Sequence, residues 1–471
     1  MPTWAEEELC YANLGDTRRN RRLIRIVEDL AAQPSTSVPQ ASRDAAALQG
    51  IYDFWSSPYV QPASILASHY SKTIERIEQQ ENSIVLAIQD TTEFNFSHHP
   101  ATAGMGYLDS AQCRGLKCHS VLCVDEQGIP LGLLEQDVWA RDLENLGKKH
   151  QRHQKPTQDK ESQKWLDSLE ATQQRMPETA KWVMVGDREA DIYDLFALAE
   201  TEQADFLIRA AQDRLVSSPI NEETQRLSLA LEQVSPAGEE EVELQRHPAR
   251  AARIANLTIR FATLAVHPPQ SRPKAAGLKP ISVQVILAEE EHPPQGQEPI
   301  CWLLLTTLKV ETLEDALKCM RWYSYRWLIE RYHFVLKSGC RIEQLQLATA
   351  ERIHRALATY AIVAWRLLWL TYEARYNPEQ PCNTVFETYE WQALYVTIHK
   401  TNRVPEAPPT LKQAVRWVAQ LGGFIGRKRD GEPGVKTIWR GLRRLHDIAQ
   451  TWRLANPELY PSVKGVVNLI S

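Results

Sequence analysis

The sequence predicts a mixed α/β core with helical ends, and three observations carry that prediction. Short apolar runs ending in an acid alternate with helical stretches through the middle of the chain. A strand-rich, Pro-punctuated segment then interrupts the alternation, while the first 75 residues and the part after Asn377-Pro378 read as helix. The chain has 471 residues, 43% hydrophobic and 24% charged, which is ordinary globular composition at a length that accommodates several domains.

No apolar run reaches about 18 residues, so no membrane span is expected, and Met1-Pro2-Thr3-Trp4 begins no signal peptide. Eight scattered cysteines suit a reducing cytoplasm. A net charge of -5 argues mildly against a nucleic-acid protein taken whole, but phosphate binding depends on local charge, and two basic clusters exist.

Residues 1–75 are predicted to form a small helical unit. Asp16 or Thr17 caps a helix carrying Arg18, Arg19, Arg21, Arg22 and Arg25, five arginines in eight positions, a density that suggests a phosphate-binding helix. Residues 83–90 read as a buried strand closing on Asp90. Strands follow at 118–124 and 129–139, joined by the turn Asp125-Glu126-Gln127-Gly128. A helix at 160–174 precedes a second buried strand, 181–187, closing on Asp187. Glu189 and Asp191 read as first-turn acids of the next helix, and a strand at 205–210 ends the series.

Residues 213–300 are expected to be a mostly β insertion, with strands near 239–244, 256–265 and 281–287. Strand 301–306 then leads into the longest helical pattern, 312–339, read as one continuous helix because neither Pro nor Gly interrupts it before Gly339. A largely apolar helix covers 352–375. The polar helical C-terminal part carries the second basic cluster: Arg427, Lys428, Arg429, Lys436, Arg440, Arg443 and Arg444.

On a helical projection Tyr323, Arg326, Glu330 and Lys337 fall within an arc of about 60°, opposite Tyr325, Leu328, Ile329, Tyr332, Val335 and Leu336. Taken alone, such a row is a solvated helix face. Beside Asp90 and Asp187 it suggests more, because hard divalent ions need carboxylate oxygens gathered from separate elements. Asp90, Asp187 and Glu330 supply them, enough for two Mg²⁺ ions roughly 3.5–4 Å apart. Arg, Lys and Tyr around Glu330 suit a phosphodiester backbone. Cys113, Cys118, His119 and Cys123 crowd together but lack zinc-knuckle spacing and alternate as a strand. The run 148–155 reads as a basic loop.

The spacing Tyr323-x2-Arg326-x3-Glu330-x6-Lys337 resembles the signature of cut-and-paste bacterial transposases of the insertion-sequence-four family. Gln89-Asp90-Thr91-Thr92 and Gly186-Asp187-Arg188-Glu189-Ala190-Asp191 are similar to that family's two aspartate motifs, and Leu14-Gly15-Asp16-x-Arg18 to its end-binding domain. The resemblance covers essentially the whole chain. It implies a ribonuclease-H-like catalytic domain at 76–375 with the β insertion, a DNA-binding domain at 1–75 and a dimerisation and synapsis domain at 376–471.

It further implies Asp90, Asp187 and Glu330 as ligands of Mg²⁺, with Mn²⁺ able to substitute, and Tyr323, Arg326 and Lys337 as contacts to transposon-end phosphates. Trp302 corresponds to a tryptophan that stacks a flipped base during hairpin formation, and Arg209 to a residue near the DNA. The implied partners are double-stranded DNA, as inverted-repeat ends and target, and a second copy in a synaptic homodimer, with no membrane. The implied setting is the bacterial cytoplasm. A metal-dependent nuclease that does not join ends, and a non-catalytic DNA-binding regulator, are the rival readings.

Overall fold

The computed structural model describes residues 2–80, 83–145, 160–218, 223–244, 252–269, 277–427 and 430–460. The basic run 148–155, Lys428 and Arg429 lie outside them. Five helices open the chain: α1 (Trp4–Glu8), α2 (Thr17–Ala32), α3 (Val38–Ala41), α4 (Ala45–Ser56) and α5 (Pro62–Glu78). Thr3, Asp16 and Asp44 accept first-turn N–H groups, and Pro62 occupies a first-turn position where a missing N–H costs nothing.

The central elements are β1 (Ile84–Asn95), β2 (Gly106–Tyr107), β3 (Arg114–Val124), β4 (Pro130–Trp139), α6 (Gln163–Arg175), β5 (Lys181–Gly186), α7 (Tyr193–Glu202) and β6 (Asp205–Arg209). Then come β7 (Leu215–Ser217), β8 (Thr224–Arg226), α8 (Leu227–Glu232), β9 (Gly238–Leu244), β10 (Arg253–Val266), β11 (Ile281–Glu289) and β12 (Cys301–Thr306). Among the described residues they build one 12-stranded sheet in the order β2-β3-β1-β5-β6-β12-β11-β10-β7-β8, with β4 beside β3 and β9 beside β10. The β1-β5-β6 pairings are parallel and the rest antiparallel. Hence the expected insertion is continuous with the central sheet, hydrogen-bonded to it through β12.

Side chains alternate across the sheet. Leu86, Ile88, Val183, Val185, Leu207 and Leu304 join the core beneath one face. Val85, Ala87, Met184, Phe206, Ile208 and Leu305 join the core on the other, against Trp165 and Leu169 of α6 and Phe196 of α7. The first face is covered by α9 (Leu313–Ser324), α10 (Trp327–Phe334) and α11 (Ala350–Tyr376). The N-terminal helices also grip α11, with Trp55 Nε1 donating to Thr359 Oγ1 at 3.2 Å and Arg355 Nε to the Val60 carbonyl at 2.7 Å. The last helices of the described residues are α12 (Thr388–His399), α13 (Leu411–Leu421) and α14 (Val435–Ala455). There Gly422 and Gly441 let two backbones touch: a Cβ would lie 1.8 Å from the Thr437 carbonyl oxygen in one case and 1.7 Å from that of Val418 in the other.

Three local expectations need correction. First, β1 does not close at Asp90 but runs on to Asn95, because Thr91 to Asn95 keep pairing with β3 after β5 has ended. Second, the helix at 312–339 is segmented. Backbone N–H groups of Tyr325, Arg326 and Leu328 bond three residues back, at 3.0, 3.0 and 2.8 Å, and Val335–Gly339 widens into a π turn. Ser324 Oγ takes the Arg321 carbonyl at 2.6 Å, a local competition that bends helices without Pro or Gly.

Third, Asp191 precedes α7 and is buried. It pairs with Arg214 at 2.5 Å and accepts the N–H groups of Ala211 and Gln212 at 2.7 and 2.9 Å, tying down the loop after β6. Removing one partner of such a buried pair strands the other charge. Asp191→Ala should therefore lower unfolding free energy by roughly 3–5 kcal/mol in urea titration, and a loss below about 1 kcal/mol would show the loop is held by other means.

Candidate active site

Parity of the sheet explains how distant residues converge. Parallel pairing of β1 with β5 ends at Ile88↔Val185, and Asp90 and Asp187 each lie two residues beyond it. Counting by twos from Ile88 and Val185 therefore puts both on the face covered by α9 and α10. Arg209, two after Leu207, and Trp302, two before Leu304, share that face by the same count.

Each carboxylate is held by one oxygen. Asp90 Oδ1 accepts the Thr91 N–H and Asp187 Oδ1 the Glu189 N–H, both at 2.8 Å. Glu330, on α10, takes the Arg326 guanidinium on Oε1, and the same guanidinium lies 3.9 Å from Asp90 Oδ2. Among the described residues Asp187 Oδ2 and Glu330 Oε2 make no hydrogen bond. Arg326, 20% exposed as a side chain, thus spans two of the three carboxylates.

Burial, then the charge of Asp187, pushes the Asp90 carboxyl up to about 7. The Thr91 N–H and Arg326 oppose this and Glu330 adds to it. Burial also raises Asp187; the Glu189 N–H, Arg326 and Lys164 oppose this and the charge of Glu189 adds to it. These groups therefore repel one another inside a partly dry pocket, and a cation relieves them. As a donor set they are all oxygen, which fits a hard divalent ion. Among the described residues, however, no three donors stand close enough to form a finished cage.

A second ring surrounds the acids. Tyr323 is buried, and its ring meets Trp302 edge-on at 5.9 Å and 69°. The phenol lies beside Arg326 and Arg209, and burial raises its pKa. Arg209 Nη2 donates to the Cys301 carbonyl at 2.8 Å, and burial followed by the charge of Arg188 lowers the guanidinium's pKa. Lys337 is not gathered with the acids. Its Nζ lies 5.8 Å from the centre of the Phe94 ring, four residues along β1 from Asp90. The predicted row therefore runs alongside β1 from Glu330 to Lys337. It is half-buried, and the solvated face is formed instead by Arg321, Ser324, Trp327 and Arg331.

Residues 84–366, more than half the chain, match the transposase DDE domain family. This chain belongs to that family. Residues 1–60 match the transposase DNA-binding family and residues 362–458 the transposase Tn5 dimerisation domain. The chain is accordingly a DNA transposase, with DNA-binding and dimerisation regions flanking a domain whose family performs metal-dependent phosphoryl transfer on DNA.

In the DNA-binding region of this transposase, Arg18, Arg21, Arg22 and Arg25 are exposed along one face of α2, opposite buried Leu23, Ile26, Val27 and Leu30. Arg19 departs from them: Nη1 donates to the Leu14 carbonyl at 3.0 Å and the guanidinium lies over Tyr59. Sequence reasoning overlooked Arg188, whose charge bears on Arg209, Lys164, whose charge bears on Asp187, and the layer behind Asp90. There His119 Nδ1 meets Thr91 Oγ1 at 2.8 Å and the imidazole packs edge-on against Trp165 at 4.8 Å. The signal lay in the β1–β3 register, which a sequence does not print.

Stability should register the crowded acids. A carboxyl raised in the folded state holds its proton more tightly than the unfolded chain does. Stability is therefore highest at low pH and falls as pH rises toward about 7 for Asp90. In metal-free buffer, Asp90→Asn should stabilise the fold at pH 8 by on the order of 4 kcal/mol and change it little at about pH 3.5, below the unfolded pKa. Equal effects at both pH values in thermal unfolding would mean that Asp90 carries no such repulsion.

Proposed function

We propose that this DDE transposase is a cut-and-paste enzyme of the insertion-sequence-four type with a ribonuclease-H-like catalytic core. Its division would be 1–75 for DNA binding, 76–375 for catalysis and 376–471 for dimerisation and synapsis. The observation that carries this reading is the pair Asp90 and Asp187 on the sheet face covered by α10, with Arg326 reaching from Glu330 on that helix toward Asp90. The acids would hold Mg²⁺, or Mn²⁺ in its place. Metal bound there supplies Lewis-acid chemistry for attacking and leaving oxygens.

The chain's own groups orient the DNA. Arg326 is a fork for phosphate oxygens, Tyr323 offers a hydroxyl beside it, and Lys337 adds a point charge further along the backbone. In this reading water opens one strand at the element's end, and the freed 3′-hydroxyl attacks the opposite strand to close a hairpin. The reopened end then joins target DNA. Trp302, half-buried against Tyr323, would stack an extruded base, and Arg209 would steady the adjoining backbone. The arginine stripe of α2 would grip inverted-repeat ends, and two copies would pair them in the bacterial cytoplasm.

Glu330→Ala should keep the fold and specific end binding but lose nicking, hairpin closure and joining together. A gel shift and a cleavage assay with Mg²⁺ and with Mn²⁺ on one preparation read all of these, and near-normal nicking by the folded variant would overturn the triad. Strand-transfer products on a supercoiled target distinguish a transposase from a nuclease that only cuts.

The α2 stripe has its own test. Neutralising Arg21 and Arg25 should weaken end binding and reduce the slope of log affinity against log salt by about 0.9 per lost phosphate contact. Arg19→Ala should act mainly on stability. An unchanged slope in the double variant would remove the stripe from the interface.

A further inference from the structure

We infer that Arg326 is a built-in counter-cation of the acidic cluster, and that end DNA strengthens divalent-metal binding by drawing its guanidinium onto a phosphate. The inference rests on the triad reading above and adds a coupling between the two ligands of that site.

The argument starts from the oxygens. One oxygen of Asp90 and one of Asp187 are fixed by backbone N–H groups, while Glu330 Oε1 is engaged by Arg326, which also faces the remaining oxygen of Asp90. A divalent ion approaching those oxygens meets a guanidinium already in place, and the two cations repel. Like-charge repulsion among the acids favours some cation at this spot, and the chain supplies one from its own helix.

Release of Arg326 needs only side-chain rotation. Its backbone is fixed in the tightened turn, with its N–H on the Tyr323 carbonyl at 3.0 Å, so the guanidinium moves on side-chain rotors alone. A phosphodiester passing Tyr323 and Arg209 would offer a forked acceptor on the same face of the sheet. Taking that acceptor unmasks Glu330 and Asp90. Linkage then requires the reciprocal effect: metal strengthens DNA binding by the same factor. The arrangement keeps the site weakly loaded until a DNA end is seated, which restrains hydrolysis of other phosphodiesters.

The test is Mn²⁺ binding, read from the loss of the free-ion paramagnetic resonance signal, so that no turnover is needed. Without DNA, Arg326→Gln should bind Mn²⁺ about ten-fold more tightly than wild type, and Arg326→Lys should stay near wild type because it keeps the charge. A terminal-repeat duplex, at a temperature where a gel shows no product, should tighten Mn²⁺ binding to wild type by a similar factor and leave Arg326→Gln unchanged. Equal or weaker Mn²⁺ binding by folded Arg326→Gln overturns the inference. If that variant does not fold, an absent DNA effect in wild type overturns it equally. Failure of the triad itself looks different: Glu330→Ala and Asp90→Asn would then bind Mn²⁺ as wild type does.

Discussion

Everything at this site depends on a repulsion that the sheet enforces. Parallel pairing of β1 and β5 ends level on both strands, which leaves Asp90 and Asp187 side by side on one face. Neither strand can slip to relieve them, because a one-residue shift would turn every apolar neighbour to the wrong side. The large cores on either face make that shift unaffordable. Rigid packing thus holds the acids in an arrangement that burial and mutual charge disfavour, and the Arg326 guanidinium faces two of the three.

The helical layer answers that constraint with graded contacts. Arg326 reaches two acids, Tyr323 adjoins Arg326 and Arg209, and Trp302 closes the pocket edge-on. Segmentation of the helix is part of the arrangement. A tightened turn at 325–328 and a π turn at 335–339 adjust the phase of the row so that it follows β1. Such departures from regular helix recur at functional sites.

The buried strands before Asp90 and Asp187 were legible because all-apolar runs ending in acid have few readings, and the turn Asp125–Gly128 because Asp125 Oδ1 caps it and Gly128 takes φ +96°. The row Tyr323, Arg326, Glu330 and Lys337 was legible from helical periodicity, although its breaks were not, since Ser324 carries no strong breaker signal. The continuation of β1 past Asp90 was missed because an acid after an apolar run reads as the end of a strand until β3 is seen to pair with Thr91 and Thr92. Asp191 was misread because its partner Arg214 lies across a loop. Both misses are non-local pairings, which local propensity does not encode.

The continuity of the β-rich segment with the catalytic sheet bears on how the gene can be trimmed. Residues 213–300 resemble a removable insert when read along the sequence, yet β11 supplies the hydrogen-bonding partner of β12, pairing Ala288 with Trp302. Excising the segment would turn β12 into a raw edge, exposing a ladder of unmet N–H and C=O groups on the strand that carries Trp302. A minimised enzyme made that way would lose solubility before it lost any acid. Shortening is better confined to the connections between strands, which leaves the ladder whole.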